Sequence, residues 1–462
     1  MNPGQVYIEH LGCAKNQVDA EIMVSRLEEG GWRWTDDPST ASLILVNTCA
    51  FIEPAQQESI DTTLALVEAH PDTPIALTGC MAQRFSEELA EGLPELAGIF
   101  GNRDPGRIGE FVARLRAGVG AADVDGGATA QGAPPVVWLP EADTTLPGES
   151  RRRLFSHPGS AYVKVAEGCD HACSFCAIPS IRGALRVRRA DSLLREIEDL
   201  AAAGVREFNL VAQDLAAWNG PGGIVSLVRQ LLERSGEYWI RPLYLYPDSF
   251  PLELVTIARE DPRLLPYFDL SFQHASPQVL RRMGRPGSSD QYLRLIDEIR
   301  SIEPDVVLRS SFIVGFPGET DQDQAALMDF LRRAELDWAG VFEFSPQTGT
   351  PAARLADRET GPDHATAVVR RAELEELQES IMRRRLRRWE GRTMQLLVEE
   401  HLEGAGLSIA RSRINAPDVD GLVVLHHGED AAPRPGEFVG ARITGLRGID
   451  LQAERDDHGL GR

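Results

Sequence analysis

VAEGCDHACSFCAIPSIRG, residues 165–183, places three of the chain's six cysteines within eight positions. Cys169, Cys173 and Cys176 have the spacing C-x3-C-x2-C and follow a short apolar run that predicts a β-strand. A loop of this kind can wrap three thiolates around one compact inorganic core. A closed structural zinc site needs four protein ligands, and His171 within the loop is the candidate for the fourth. A cubane iron–sulfur cluster held by three thiolates instead keeps one iron open to a ligand from outside the protein.

The residues around this loop alternate between strand and helix patterns. Six candidate strands lie between Tyr162 and Gln347, and most are followed by helical stretches such as DSLLREIEDLAAAG, residues 191–204. Six βα units are two fewer than a closed eightfold barrel needs, so the pattern predicts an open, partial (β/α)6 barrel with its active site at the carboxyl ends of the strands. We assign residues 155–388 to this domain. Its last helix carries RRRLRR, which fits a nucleic-acid patch or, the interpretation we favour, a solvated helix face.

The first part of the chain shows the same alternation, and three of its predicted strands end on a cysteine. QVYIEHLGC, ASLILVNTC and PIALTGC end on Cys13, Cys49 and Cys80, and each is followed by a helical pattern. Residues 1–118 are therefore predicted to form a parallel α/β domain. Because open parallel sheets present their ligands at the carboxyl edge, we expect these cysteines to form one constellation there. The alternative is that they are inert core residues.

Amino-acid composition indicates the structure of the remaining segments and the class of partner. Residues 119–154 are rich in Gly, Ala, Pro and Asp and predict a linker, whereas residues 389–462 contain short β-like runs and predict a small β-barrel. The formal net charge of -22 argues against a surface that mainly neutralises phosphates and favours a basic macromolecular partner. No secretory signal or membrane-spanning run is recognisable, so we expect a cytoplasmic protein with no membrane partner.

Taken together, these motifs resemble a known family. C-x3-C-x2-C after the first strand of a partial barrel is similar to the radical S-adenosylmethionine superfamily, and LGCAKNQVDAE, VNTCAFIEPAQQES and LTGCMAQR resemble the amino-terminal domain of its methylthiotransferases. The resemblance implies a flavodoxin-like first domain, a TIM-like radical SAM barrel and a final TRAM domain that recognises the substrate. It also implies two [4Fe-4S] clusters, the auxiliary one on Cys13, Cys49 and Cys80, with S-adenosyl-L-methionine as radical source and methyl donor.

Two branches of that family compete, one modifying a tRNA adenosine and the other the β-carbon of an aspartate in ribosomal protein S-12. EGCDHACSFCAIPSIRG, DLSFQHASPQVLRRMGRP and ARSRINAPDVDG resemble the protein-modifying branch. The tRNA branch is expected to have Thr-Arg-Gly after the cluster loop and a more basic last domain. An acidic last domain suits a basic ribosomal protein, although acidity can also serve solubility alone. DLSFQ departs slightly from the usual DIPLQ, which affects details of the cofactor pocket.

The resemblance also suggests which strand-end residues contact the cofactor. Gln213 and Asp214 are expected at its amino acid end, Gln273 near its ribose, and Arg309 at its carboxylate, while Gly315 and Gly318 are expected to let the backbone approach the adenine. The alternatives are strand-end capping, salt bridges and tight-turn geometry. Lys15 and Lys164, the only lysines, lie near cluster cysteines in sequence, either by chance, to tune the cluster potential or to assist binding of the substrate carboxylate. No catalytic side chain beyond the two clusters is predicted.

The expected reaction is hydrogen-atom abstraction from the aspartate β-carbon, because that carbon offers no proton that a general base could remove readily at neutral pH. Expected partners are ribosomal protein S-12, free or on the ribosome, and a flavodoxin- or ferredoxin-like electron donor, with no dominant contribution from direct RNA binding. Two other classes remain open. An RNA-binding module would carry a structural metal, and a non-catalytic electron carrier would lack an open iron.

Overall fold

The computed structural model of the chain describes residues 4–120, 134–142, 146, 151, 153–358, 361–428 and 432–456. Most of the predicted linker at residues 119–154 lies outside these ranges. Two compact units emerge: unit 1 comprises Met1–Phe155, Ala166–Asp170 and Ala177–Glu196, and unit 2 comprises Ser156–Val165, His171–Cys176 and Ile197–Arg462. The C-terminal barrel and most of the predicted partial barrel thus belong to unit 2, whereas residues 166–170 and 177–196 of the predicted barrel domain belong to unit 1.

Unit 1 contains a six-stranded parallel sheet with the strand order β2-β1-β3-β4-β5-β6. Its central strand β3 is buried at every position, as its continuous apolar run predicts for a parallel strand covered on both faces. The strands are β1 Gln5–His10, β2 Arg33–Trp34, β3 Leu43–Thr48, β4 Ile75–Thr78, β5 Gly98–Phe100 and β6 Val136–Trp138. The parallel α/β fold predicted for this part of the chain is confirmed.

Strand β6 was not predicted, since it lies within the Gly- and Pro-rich stretch assigned to the linker. It pairs in parallel with β5, Gly98 opposite Val136. Its Trp138 ring lies 5.7 Å from the Phe100 ring, so this short strand is anchored to the sheet by an aromatic contact. A strand of three residues is too short to produce a recognisable periodic pattern in the sequence.

Helices connect the strands of unit 1 and continue into the segment after the barrel cysteines. They are α1 Ala14–Glu29, α2 Glu53–Ala69, α3 Gly79–Arg84, α4 Ser86–Gly92, α5 Ile108–Gly120, α6 Ile178–Arg182 and α7 Ala190–Ala202. Short 3-10 turns cover Pro38–Thr40 and Pro105–Arg107, and a two-stranded ribbon pairs β8 Ala166–Glu167 with β9 Arg186–Val187. The ribbon flanks Cys169 in sequence.

Unit 2 contains the six strands predicted for the partial barrel. They form two parallel three-stranded sheets, β7-β10-β11 and β12-β13-β14, and isolated bridges such as Leu245 to Leu270 connect the segments between them. The strands are β7 Ser160–Lys164, β10 Glu207–Val211, β11 Trp239–Pro242, β12 Tyr267–Asp269, β13 Val307–Val314 and β14 Trp338–Glu343. This is the open (β/α)6 arrangement expected from the sequence.

The helices of the partial barrel follow its strands and end in one long helix. They are α8 Gly223–Leu232, α9 Glu253–Glu260, α10 Pro277–Arg282, α11 Ser289–Ile302, α12 Asp321–Ala334, α13 Pro351–Ala356 and α14 His364–Leu386, with 3-10 turns at Leu215–Ala217, Pro247–Ser249 and Arg387–Trp389. In the basic run near the end of α14, Arg385 and Arg388 lie 3.1 Å and 2.8 Å from Asp337. These two arginines therefore pair with a buried carboxylate, whereas Arg383 and Arg384 are exposed, as expected for a solvated helix face. No helix in the described ranges has the length and apolarity needed to cross a bilayer.

The C-terminal part of unit 2 is a closed barrel with the strand order β15-β16-β17-β19-β18. Its strands are β15 Thr393–Leu402, β16 Leu407–Ser412, β17 Val423–His426, β18 Phe438–Arg447 and β19 Asp450–Arg455. Closure pairs every strand on both sides and so leaves no free edge. The small β-barrel predicted for this region is confirmed.

The loop between β16 and β17, residues 413–422, docks against the amino-terminal ends of the barrel strands; we call it the docking loop. Trp338, the first residue of β14, donates a 2.7 Å hydrogen bond to the Ile414 carbonyl. Tyr267, the first residue of β12, donates a 2.6 Å bond to Asp420. The docking loop therefore covers the end of the partial barrel opposite the carboxyl edge.

Candidate active site

Cys13, Cys49 and Cys80, here called the sheet-edge cysteines, lie where the sequence places them. Cys13 is the N-cap of α1 just beyond β1, Cys49 directly follows β3, and Cys80 is the second residue of α3, just beyond β4. Since β1, β3 and β4 are neighbouring parallel strands, all three residues occupy one carboxyl edge. A Cβ on Gly12 would lie 2.9 Å from Cys49 Cβ, so the first two cysteine loops are in contact.

Charge at this edge is unevenly distributed among the three thiols. Burial, helped by the neighbouring Cys13 and Cys49, raises the pKa of Cys80 to about 12 against the opposing effect of Arg182. Desolvation likewise acts to raise the pKa of Cys13, but Lys15, Arg182 and backbone N–H groups outweigh it and the pKa is lowered. The three sulfurs thus lie close enough to influence one another's ionisation.

This donor set fits an iron–sulfur cluster better than a single ion. No three His, Cys, Asp or Glu side chains in the described ranges are arranged to hold one metal ion. The protein ligands of a cubane cluster bind different irons and therefore need not surround one point. Three thiols at one edge, with Lys15 and Arg182 nearby to offset their negative charge, are suitable ligands for a [4Fe-4S] cluster.

Cys169, Cys173 and Cys176, here called the barrel-loop cysteines, follow β7. At the start of their loop, the Cys169 amide donates to the Gly183 carbonyl at 3.2 Å. Gly168 has a φ of +77°, and a Cβ there would lie 2.1 Å from the Ala184 carbonyl oxygen. Only glycine fits this approach without a backbone shift.

The second half of the loop is fixed by the helices of unit 2. The Ser174 amide donates to the Met283 carbonyl at 2.8 Å, and its own carbonyl accepts from the Ala352 amide at 2.9 Å. Phe175 packs in a small apolar cluster with Met283 and Phe316. Phe175 is therefore a packing residue of this loop.

An aromatic and a cation lie beside the Cys173 sulfur. Its Sγ is 3.8 Å from Arg285 Nη1 and 4.0 Å from the Tyr246 hydroxyl. The Tyr246 ring in turn stacks on His171, with 4.0 Å between ring centroids, and lies under the Arg285 guanidinium. His171 therefore belongs to a stack next to the loop.

Asp214 connects this stack to the second barrel strand. Its carboxylate is 2.8 Å from His171 Nε2 and also accepts from the backbone amides of Ala216 and Tyr246. The carboxylate is buried, and these three contacts engage both of its oxygens. Asp214 is thus at the predicted edge, where it orients His171; Gln213 precedes it and is partly buried.

Two residues at this carboxyl edge have unusual backbone conformations. Gln273 has a φ of +67° and Tyr244 a φ of +62°, although neither is glycine. The Gln273 backbone is held by hydrogen bonds with Ser311 and Ile313 at 2.9 Å and 2.8 Å. Such conformations cost energy and cluster at functional sites, which supports the prediction that Gln273 faces the cofactor.

The two predicted glycines follow β13 and have structural reasons of their own. A Cβ on Gly315 would lie 2.7 Å from Ala367 Cβ of α14, and one on Gly318 would lie 2.6 Å from Arg282 Nη1. Both have positive φ angles. Turn geometry and packing are therefore sufficient reasons for glycine at both positions, and the expected approach of their backbone to the adenine stays a prediction.

Arg309 is the one predicted cofactor contact that the structure places elsewhere. It is the third residue of β13, at the amino-terminal end, where its guanidinium lies 3.0 Å from Asp269 and 3.5 Å from Asp420 of the docking loop. The remaining five residues of the strand separate it from the carboxyl edge by about 16 Å. This position does not agree with the expectation that Arg309 binds the cofactor carboxylate.

Two further side chains, which the sequence did not predict, contact a sheet-edge cysteine. Arg182 Nη2 and Asn102 Nδ2 each lie 3.3 Å from Cys80 Sγ. Arg182 was noticed only as part of the segment after the barrel-loop cysteines. Asn102 follows the short strand β5 and no spacing rule marks it.

Three parts of the chain match known protein families. Residues 5–101 match the uncharacterized protein family UPF0004, residues 163–331 the radical SAM superfamily and residues 391–455 the TRAM domain. Ribosomal protein uS12 methylthiotransferase RimO of Acaryochloris marina is 39% identical over 98% of this chain and 99% of its own length. The enzyme of the same name from Syntrophobacter fumaroxidans is 40% identical over 96% of this chain and 97% of its own length.

The chain belongs to the RimO family. That membership confirms the resemblance to radical SAM methylthiotransferases and does not favour the tRNA-modifying branch. Among solved structures, the radical S-adenosylmethionine methyltransferase TsrM from Kitasatospora setae has a TM-score of 0.54 at 17% identity, covering 76% of this chain and 77% of its own. This likeness supports the fold alone.

Proposed function

We propose that this RimO family member methylthiolates the β-carbon of an aspartate in ribosomal protein uS12. The observation that carries the proposal is the 38–40% identity, over nearly the whole chain, to enzymes named for methylthiolation of uS12. The enzyme is a radical SAM methylthiotransferase whose cofactors are two [4Fe-4S] clusters and S-adenosyl-L-methionine.

We assign one cluster to the barrel-loop cysteines and the auxiliary cluster to the sheet-edge cysteines. When bound, these groups supply an adenosyl radical that removes a hydrogen atom and a sulfur that replaces it. The contribution of the chain is to bind, orient and shield. At the barrel loop, the Ser174 contacts and the packing of Phe175 hold the backbone.

We assign the amino acid end of S-adenosyl-L-methionine to the edge around Gln213 and Asp214, and its ribose to Gln273. The buried Asp214 carboxylate fixes His171, which keeps its stacking contact with Tyr246 beside Cys173. The backbone at Gly315 and Gly318 remains the proposed approach to the adenine. The proposed position of the cofactor at the carboxyl edge is supported by the docking loop, which covers the amino-terminal end.

The net charge of the chain supports a basic protein as its substrate. The chain carries a net charge of -22, which favours encounter with a basic ribosomal protein. We propose that uS12 is met free or on the ribosome in the cytoplasm, where ribosomal proteins are assembled. A flavodoxin- or ferredoxin-like protein is the proposed electron donor.

The test is mass spectrometry of uS12 from cells that lack this chain, with and without the restored gene. The methylthio mass on the aspartate should be absent without the chain and return with the parent, but not with a chain whose barrel-loop cysteines are replaced by Ala. Methylthiolated adenosine in tRNA serves as the matched control and should not change. An unchanged uS12 mass together with a loss of the tRNA modification would overturn the assignment.

A further inference from the structure

The Cys80 sulfur receives two side-chain N–H donors. Asn102 Nδ2 and Arg182 Nη2 approach it from different segments of unit 1, each at 3.3 Å. Cys80 is 7% exposed, so both contacts are shielded from water. A thiolate that binds iron carries negative charge, and two converging N–H groups offer it hydrogen bonds that a neutral thiol needs less.

Asn102 has one side-chain contact that explains its position. The residue is 4% exposed, and its Oδ1 has no hydrogen-bond partner among the described residues. A buried amide oxygen without a partner is energetically unfavourable. The N–H bond to the Cys80 sulfur is the compensating feature, which points to a role at that atom.

Arg182 is held so that one nitrogen faces the sulfur. Its Nη1 lies 3.0 Å from Asp19 and 2.8 Å from Glu167, and all three side chains are almost fully buried. Its Nη2 is 3.3 Å from both Asn16 Oδ1 and Cys80 Sγ. Two carboxylates therefore fix a guanidinium that would otherwise have several rotamers open to it.

We propose that Asn102 and Arg182 are positioning residues of the auxiliary cluster, which hold the Cys80 thiolate by N–H donation and make the cluster easier to reduce. The inference rests on the proposed function, because it requires Cys80 to bind that cluster. Hydrogen bonds to ligand sulfur stabilise the added electron and are one determinant of cluster potential. Removal of either donor should therefore favour the oxidised cluster.

The experiment uses the full chain with the barrel-loop cysteines replaced by Ala, so that only the auxiliary cluster forms. After anaerobic reconstitution, electron paramagnetic resonance at a series of poised potentials gives the midpoint of the parent, N102L, R182M and R103M. Arg103 is the matched control because it bonds the Ser180 carbonyl at 3.1 Å and contacts no sulfur in the described structure. N102L keeps the branched side-chain shape and leaves all buried charges in place.

R182M is expected to lower the reduction equilibrium constant about tenfold, which is about 59 mV for one electron. N102L should lower it about threefold, and R103M should leave it unchanged. Loss of iron from folded R182M also supports the proposal; if R182M does not fold, N102L decides. Unchanged midpoints in N102L and in folded R182M overturn it, as does an equal shift in R103M. A parent without iron would instead contradict the assignment of the cluster to the sheet-edge cysteines.

Discussion

Replacement of Glu207 by Gln should destabilise unit 2 by about 3 kcal/mol. Glu207 is the first residue of β10 and is fully buried where the C-terminal barrel meets the partial barrel. It accepts hydrogen bonds from Arg241 Nε, Arg411 Nη1 and the Ser160 hydroxyl, each at 3.0 Å. The Gln variant keeps the shape but leaves two buried guanidinium groups without this counter-charge.

The magnitude follows from the ionisation of Glu207. Burial acts to raise its pKa, but Arg411 and Arg241 outweigh this and lower it from 4.5 to about 2. At about 1.36 kcal/mol per pKa unit, the difference corresponds to about 3 kcal/mol. This agrees with the roughly 3–5 kcal/mol lost when one partner of a buried ion pair is removed. A lowered carboxyl pKa stabilises the fold above about pH 4.5, and this contribution disappears as pH falls towards 2.

Denaturant unfolding followed by tryptophan fluorescence measures the effect, since Trp239 and Trp338 both lie at this interface. The matched control is E198Q, which makes the same chemical change in a pair with Arg234 where the glutamate is 55% exposed. Exposed pairs contribute roughly 0–1 kcal/mol. If E207Q and E198Q lost the same free energy at pH 7, the buried cluster would not stabilise the interface as reasoned here.

Three further predictions concern other parts of the molecule. Burial raises the pKa of Asp420 to about 6, against the opposing effects of Arg309 and Tyr267. The contribution of Asp420 to stability is therefore present below about pH 4 and is lost as pH rises through 6. D420N should abolish this loss of stability in denaturation curves measured across pH, and an unaltered pH profile would contradict the prediction. H171F keeps a ring on Tyr246 but loses the bond to Asp214, so equilibrium binding of S-adenosyl-L-methionine should weaken roughly tenfold with unchanged iron content, whereas the exposed H364F should bind normally. Replacing the sheet-edge cysteines by Ala should reduce reconstituted iron from about eight to about four per chain, with the remaining signal still responsive to S-adenosyl-L-methionine; no loss of iron would refute their assignment.

Periodicity and strand-end position allowed most of the fold and the sheet-edge cysteines to be predicted. Parallel strands end at a common edge, so a cysteine after each of β1, β3 and β4 can be placed without knowledge of the packing. Arg309 was misjudged for a different reason. The strand pattern VVLRSSFIVGFPGE begins at Val306 and already places Arg309 near the amino-terminal end, so its charge and not its position suggested the cofactor carboxylate.

The contacts to Cys80 lay outside what the sequence could reveal. Asn102 and Arg182 are far apart in the chain, and each meets the sulfur only through the tertiary fold. The docking loop is a similar case, since its partners are the first residues of strands distant in sequence. Features built from single side chains of different elements leave no periodic signal.

The docking loop has a practical consequence for dissecting the enzyme. A chain shortened before residue 391 would lack the docking loop and would expose Glu207 and Arg241 to water at the amino-terminal end of the partial barrel. Inactivity of this shortened chain would then have two possible causes, the loss of the substrate recognition that the resemblance implies for the C-terminal barrel and a loosened cofactor scaffold. Substitutions at exposed strand positions of the C-terminal barrel, such as His426 and Arg442, separate the two effects because they leave the docking loop in place.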